Sequence, residues 1–201
     1  MDREGWNRRY ASGEFVWTAA ANRFLVAEVS DLPAGRALDL AAGEGRNAVW
    51  LAERGWSVTA VDFSATGIDK GRRLAAARDV AAAITWIEAD LEEHAPEAGS
   101  FDLVIVMYLH LPWPRMAPVV RRAATAVASG GTFLLVGHDR SNLEHGHGGP
   151  PDAGVLYTAE AVAGELHGLR ILEAGRRDRP VDLPDGGHAV AIDCLVRAER
   201  S

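Results

Sequence analysis

From residue 36 onward, short apolar runs alternate with stretches of helical spacing. Residues 37–40, 57–61, 83–88, 100–107 and 132–137 read as strands. The run at 100–107, S-F-D-L-V-I-V-M, is apolar almost throughout, which marks a strand buried on both faces. Between these runs, residues 46–54, 65–78 and 114–128 carry apolar side chains on one helical face, with Ser129, Gly130 and Gly131 ending the last of them. Strands alternating with helices specify an α/β domain built on a doubly wound, mostly parallel sheet. Two helices, 3–11 and 20–29, precede the first strand. Residues 138–158 break the pattern: rich in Gly and Pro, they are expected to hold no regular structure and to overhang the carboxyl edge of the sheet as a lid. Thr158 then caps a helix to about residue 166. Residues 169–179 and 188–197 close the chain as a hairpin through the turn at 184–187.

Composition narrows the class. A chain of 201 residues, 48% hydrophobic and 24% charged, is expected to form one domain, 1–201, with a helical cover over 1–35, a core over 36–136, the 138–158 lid and a C-terminal part over 159–201. A net charge of −7 argues against a nucleic-acid partner held through its phosphates. No apolar run has the length of a membrane span, and the charged start M-D-R-E-G-W-N-R-R-Y lacks a signal-peptide core, so a cytoplasmic protein with no membrane partner is expected. Cys194 lies in an apolar strand and reads as a buried, inert thiol.

Residues 36–62 carry the strongest chemistry. They read strand, turn of small residues at 41–45, helix, strand, and then Asp62. This is half of a nucleotide-binding βαβ unit. Gly43 and Gly45 let a ligand approach the backbone, and the helix starting near Arg46 offers free N–H groups to an electronegative group. Asp62 is placed to accept hydrogen bonds from ribose hydroxyls. Ala48 stands where a dinucleotide site sometimes allows alanine for its third glycine, so spacing alone leaves NAD open.

The D-L-A-A-G-E-G-R-N form, with Asp39 ending the first strand, resembles the first motif of class I S-adenosylmethionine-dependent methyltransferases. G-E-G-R-N-A-V-W-L-A resembles the small branch related to tellurite-resistance and thiopurine methyltransferases. F-D-L-V at 101–104 and V-A-S-G-G-T-F-L-L-V at 127–136 also match that family. The resemblance implies a seven-stranded sheet in the order 3-2-1-4-5-7-6 with the last strand antiparallel, S-adenosylmethionine as cofactor, and methyl transfer to a small molecule with an oxygen, sulfur or chalcogen- or halide-type nucleophile. It assigns cofactor contacts to Trp17, Asp39, Ala41, Gly43, Gly45, Arg46, Asp62, Phe63, Ser64, Ala89, Asp90, Leu91 and Met107. Asp62 would take the ribose, Phe63 and Asp90 the adenine, and Met107 the wall near the sulfonium. Trp17 and Asn22 match a recurring N-terminal pattern of that family, on the cofactor or substrate side.

The fourth strand runs out into Tyr108, Leu109, His110, Leu111, Pro112 and Trp113, at the edge where ligands of such sheets bind. An O–H or S–H acceptor must lose a proton, and histidine suits that role near neutral pH. His110 and His138, at the tips of the fourth and fifth strands, are the candidate bases. His145 and His147 form H-x-H in a glycine-rich loop that offers no fixed geometry, so no metal is expected. Asp193, among apolar residues of the last strand, is expected to pair across the hairpin with Arg176, Arg177 or Arg179. The run Lys70, Arg72, Arg73 and Arg78 reads as a solvated helix face. Two other readings stay open: a non-catalytic S-adenosylmethionine sensor, and a nicotinamide-dependent oxidoreductase.

Overall fold

A computed structural model describes residues 2–13 and 15–201. Glu14, at the start of the loop expected over 14–18, lies outside the described residues. Seven strands form one sheet: β1 (Arg36–Leu40), β2 (Ser57–Asp62), β3 (Ile84–Glu88), β4 (Phe101–Met107), β5 (Val127–His138), β6 (Arg170–Asp182) and β7 (His188–Glu199). Their order is β3-β2-β1-β4-β5-β7-β6. All neighbours run parallel except β5–β7 and β6–β7. Order and direction are those the resemblance implies.

Side-chain alternation explains the layers. On β4, Leu103, Ile105 and Met107 enter one core while Val104 and Val106 enter the other. The first core is closed by α2 (Arg23–Val29), α3 (Arg46–Ala52) and α4 (Ala65–Ala77), through Leu25, Val29, Val49, Leu51 and Leu74. The second is closed by α5 (Trp113–Ala126) and α7 (Ala159–Glu165), through Met116, Val119, Val120 and Val162. Burying one such side chain contributes about 1.5–3 kcal/mol, so a sheet covered on both faces is the arrangement these runs stabilise. The N-terminal α1 (Arg3–Tyr10) packs on α4. No described helix is long and apolar enough to cross a membrane.

Several elements depart from the sequence reading. α2 starts at Arg23 rather than 20, because the Asn22 side chain caps it by accepting from the Phe24 amide at 2.9 Å. Helix α5 stops at Ala126, ahead of the Ser-Gly-Gly stop, and the chain passes directly into β5. Ser129, Gly130 and Gly131 instead lie within that strand, where the β4–β5 register shifts between Phe101 and Leu103. The 138–158 segment does hold regular structure: a helical turn, α6 (Asn142–His145), and a 3-10 turn over Ala153–Val155. Polar side chains build it. Asp139 Oδ1 accepts from the Ser141 amide at 2.9 Å and hydroxyl at 2.6 Å, and Asn142 Nδ2 donates to the Gly148 carbonyl at 2.8 Å.

The hairpin is longer than its sheet partner. β7 pairs with β5 only from Asp193 to Glu199, whereas β6 and β7 continue pairing to Asp182 and His188. A two-stranded ribbon therefore runs past the carboxyl end of β5. The 138–158 segment is fastened to it: the Asp139 amide donates to the Ile192 carbonyl at 3.0 Å, and the Ile192 amide to Asn142 Oδ1 at 2.7 Å.

Candidate active site

The donor half lies where β1 and β2 end. β1 leaves the sheet through Ala41, held at φ 64, and the Ala41 and Ala42 amides both donate to the Val61 carbonyl at 3.0 and 3.1 Å. Such a left-handed alanine is strained by about 1–2 kcal/mol, and strain of this kind gathers at functional sites. The turn ends at Gly45, φ 78. Asp62 closes it from the next strand, accepting from the Gly43 amide and the Ser64 amide at 2.8 Å each. Each carboxylate oxygen keeps a further lone pair. Burial pushes the Asp62 pKa up, against the amides of Ser64, Gly43 and Phe63.

Asp39 is different. It is wholly buried, and neither of its oxygens has a hydrogen-bond partner of good geometry. Burial, and then the charge of Asp62, push its pKa up to about 7, while Arg46 and the nearby Ala48 amide oppose the rise. A buried orphan carboxylate costs several kcal/mol when ionised, so it calls for a cation or donor from outside the chain. Arg46 is half-buried near by. Burial pulls its pKa down, and the phenol of Tyr108, the carboxyls of Asp39 and Glu44 and the phenol of Tyr10 act against that.

The glycines of the turn meet protein groups as closely as they would meet a ligand. A Cβ on Gly45 would lie 2.4 Å from the Trp86 indole, and one on Gly43 would lie 2.8 Å from the Tyr10 hydroxyl. Tyr10 stands over the turn, with its pKa raised by burial and then by Asp62 and Glu44. Lys70 corrects the solvated-face reading. It is buried and its ammonium lies 2.9 Å from Glu44 Oε1, because its turn of α4 faces the glycine loop. Arg72 and Arg78 are exposed, as expected, with Asp69 and Glu53 as partners.

The N-terminal cover is tied to this half. Glu44 accepts from the Val16 amide at 2.9 and 3.2 Å, Asn47 Oδ1 from the Asn22 amide at 2.9 Å, and Asn7 Oδ1 from the Ser64 hydroxyl at 2.6 Å. Ser64 also caps α4 by accepting from Gly67 at 3.1 Å. Trp17 stays half-exposed, with the Arg9 guanidinium 5.0 Å over its ring and 5.3 Å over that of Trp6. Past β3, Asp90 Oδ1 accepts from the Glu92 amide at 3.0 Å, so it caps the turn after the strand and keeps its second oxygen for a donor. Phe63, Ala89 and Asp90 are half-buried along this rim, while Leu91 and Met107 point into the two cores.

The acceptor half is assembled from four strand ends. Tyr108 follows β4 at φ 57, its amide donating to the Val136 carbonyl at 2.7 Å. Its hydroxyl donates to Asp193 Oδ2 at 2.9 Å, and the Asn22 side chain lies within reach of the same phenol. Arg179 Nε donates to Asp193 Oδ2 at 2.6 Å, so the expected cross-hairpin pair forms. His138 Nδ1 lies 3.2 Å from Asp193 Oδ1, to one side of an ideal hydrogen-bond line. Burial pushes the Asp193 pKa up, but the nearby His138 and Arg179 outweigh it and hold the carboxyl below the usual range.

Both candidate bases meet here. The His110 and His138 rings stack at 5.4 Å, and the Tyr108 ring meets His138 edge-on at 5.1 Å. His110 Nδ1 lies 3.3 Å from the Val155 carbonyl of the overhanging segment, and its Nε2 is buried without a partner. Burial, and then His138, push the His110 pKa down to about 4. Tyr157 stacks on His110 at 5.6 Å and donates to the Leu109 carbonyl at 2.9 Å. Cys194 is buried, its thiol pushed up to about 12 first by burial, which fits the inert reading.

Comparison with known proteins agrees with this geometry. Residues 37–131 match a family model described as "Methyltransferase domain". A glycine N-methyltransferase of Oryctolagus cuniculus is 28% identical over 170 residues, covering 71% of this chain. The chain spans only 57% of that relative's length. Among solved structures, the N-methyltransferase NodS of Bradyrhizobium japonicum WM9, in complex with S-adenosyl-L-homocysteine, superposes with a TM-score of 0.73 at 18% identity, over 98% of this chain and 97% of that one. TehB of Haemophilus influenzae gives 0.73 at 16% identity, over 99% and 67%. At these identities the structural likeness carries the fold alone. Residues 37–131 thus match a methyltransferase domain, and the chain shares its fold with NodS and TehB.

Proposed function

We propose that the protein transfers a methyl group from S-adenosylmethionine to a small-molecule acceptor whose nucleophilic oxygen or sulfur carries a proton. The observation that supports the acceptor reading is the pair of stacked imidazoles, His110 and His138, under the 138–158 segment at the ends of β4 and β5. Halide or chalcogen anions have no proton to give and gain nothing from a neutral imidazole lone pair. The net charge of −7 favours a small molecule over a nucleic acid.

The donor half fits the cofactor. Asp39, an orphan buried carboxylate, suits the ammonium of the methionine end, and Arg46 suits its carboxylate. Asp62 keeps lone pairs for the ribose hydroxyls, and the free oxygen of Asp90 suits the adenine amine, with Phe63 and Ala89 around it. Ala41, Gly43, Gly45 and Ser64 complete the wall, with Trp17 at the entrance, while Leu91 and Met107, core residues, support it from behind. Bound there, S-adenosylmethionine supplies a methyl carbon made electrophilic by a sulfonium. The chain's own contribution is alignment and exclusion of water, with an imidazole to receive the acceptor's proton.

Purified protein incubated with methyl-labelled cofactor and a panel of phenols, alcohols and thiols is expected to give methylated product and S-adenosylhomocysteine. Halide and chalcogen anions form the contrasting panel. Turnover on the anions alone, or tight binding of S-adenosylhomocysteine with no turnover on any acceptor, would overturn this reading.

A further inference from the structure

We propose that Asp193 is a positioning residue that fixes His138 as the general base, with Nδ1–H aimed at the carboxylate and the Nε2 lone pair left for the acceptor, and that the acceptor's nucleophile is therefore a hydroxyl. This rests on the methyl-transfer reading above and assigns the proton within it.

The inference starts from one buried carboxylate and the three groups that reach it. Asp193, on β7, is wholly buried. Tyr108 comes to it from the end of β4, His138 from the end of β5 and Arg179 from β6. Two bonds, from Tyr108 and Arg179, end on Oδ2, and Oδ1 is left with Arg179 Nη2 at 3.5 Å and with His138 Nδ1 at 3.2 Å, a contact that a small rotation of the ring would bring onto the hydrogen-bond line. An ionised carboxylate can only accept. The nitrogen facing it must then carry the proton, and the lone pair of a neutral ring falls on Nε2, away from Asp193. The Arg179 guanidinium supports that ionised state.

The ring is also fixed from its other sides. Tyr108 meets it edge-on, His110 stacks on it, and Gly149 of the overhanging segment lies so close that a Cβ there would come within 2.9 Å of the imidazole. His110 is the poorer base. Its Nδ1 is engaged by the Val155 carbonyl, its Nε2 is fully buried, and its pKa falls to about 4. A thiol ionises near neutral pH by itself, near 8.5. A held imidazole with an oriented carboxylate is the arrangement that a hydroxyl requires.

The step balances. The acceptor oxygen forms a bond to the methyl carbon as the sulfur–carbon bond breaks, with that bond's electron pair staying on sulfur. The hydroxyl proton passes to His138 Nε2 and from there to solvent.

Nitrogen-15 NMR of histidine-labelled protein, with and without S-adenosylhomocysteine, tests the arrangement independently of turnover. The spectra are taken about two pH units above the ordinary histidine value of about 6.5, with His138 assigned by its loss in H138Q. The expected wild-type ring is the Nδ1–H tautomer; an Nε2–H tautomer or a doubly protonated ring would overturn the proposal. In Asp193→Asn the new NH2 is expected to face His138, because Arg179 and Tyr108 hold the remaining oxygen. The ring should then switch to Nε2–H, with kcat for a hydroxyl acceptor falling at least about 100-fold while KM and S-adenosylhomocysteine affinity stay within about threefold. An unchanged tautomer in a folded D193N protein overturns the positioning role. If D193N does not fold, the wild-type tautomer and the kcat of H138Q decide, and a kcat within threefold of wild type overturns the assignment. The expected tautomers without turnover on any acceptor would leave the Asp193 arrangement standing and sink the methyl-transfer reading instead.

Discussion

The two halves of the cleft are built in opposite ways. The donor half is local in sequence: its turn, its two acids and its covering aromatic all come from residues 39–90, apart from the N-terminal cover. Its shape is set largely by backbone, by a left-handed alanine and by glycines in contact with aromatic rings. The acceptor half is set by side chains brought from far apart, with 85 positions between Tyr108 and Asp193 and 45 between His110 and Val155. A backbone-built site serves one ligand and tolerates little change. A side-chain-built site can be re-specified by single substitutions.

That contrast predicts separable effects. The largest belongs to Gly45→Ala. A Cβ there meets the Trp86 indole at 2.4 Å on a backbone at φ 78. Overpacking and left-handed strain together should cost about 2–5 kcal/mol of stability and abolish S-adenosylhomocysteine binding, read by chemical denaturation and calorimetry. A G45A protein that binds normally would break the idea of a rigid donor half.

Asp39→Asn comes next. Losing a charged hydrogen bond to the ligand's ammonium is worth about 1.5–3 kcal/mol, roughly tenfold to a hundredfold in Kd for S-adenosylhomocysteine. The ligand-free protein should behave oppositely. The Asp39 pKa rises from 3.8 to about 7 on folding, so the unfolded acid ionises first. Wild type therefore loses stability relative to D39N as pH rises across that window. Ligand binding near pH 6 should release a proton, measurable by calorimetry in buffers of different ionisation heat. A pH-independent stability difference would sink this account.

Tyr108→Phe sharpens the comparison from the other side. It removes one bond to Asp193, about 1–3 kcal/mol, and should lower kcat while leaving S-adenosylhomocysteine affinity unchanged. Equal losses in both would mean that the halves are coupled through Asn22. The smallest effect is expected of Thr158→Ala. Its hydroxyl accepts from the Ala161 amide at 3.2 Å, and losing that cap should cost about 1 kcal/mol in thermal denaturation, with cofactor affinity intact.

The same division decided what could be read from sequence. The β1–α3–β2 unit was legible because short apolar runs, a small-residue turn and the distal Asp62 lie within one short window, whereas the strand order came from the family resemblance. The capping role of Thr158 was legible for the same local reason. Lys70 was misread because a basic run looks alike whether or not one member turns inward, and only the α4 rotation places it on Glu44. The ordered turn at α6 was hidden because Asn142 is satisfied by Ile192 of a distant strand. His138 and His110 could be named from strand ends, but the arrangement around Asp193 requires β4, β5, β6 and β7 to be paired first.

Trp86 has a further consequence for comparing such chains. Its ring lies where a Cβ on Gly45 or on Gly71 would lie, at 2.4 and 2.3 Å. In an alignment, columns 71 and 86 should vary together: a smaller residue at 86 releases Gly71, whereas Gly45 stays held by its own φ of 78. Part of what a glycine pattern records here is thus the footprint of an indole. A homologue with a side chain at 71 is admissible once its third strand has given up the tryptophan.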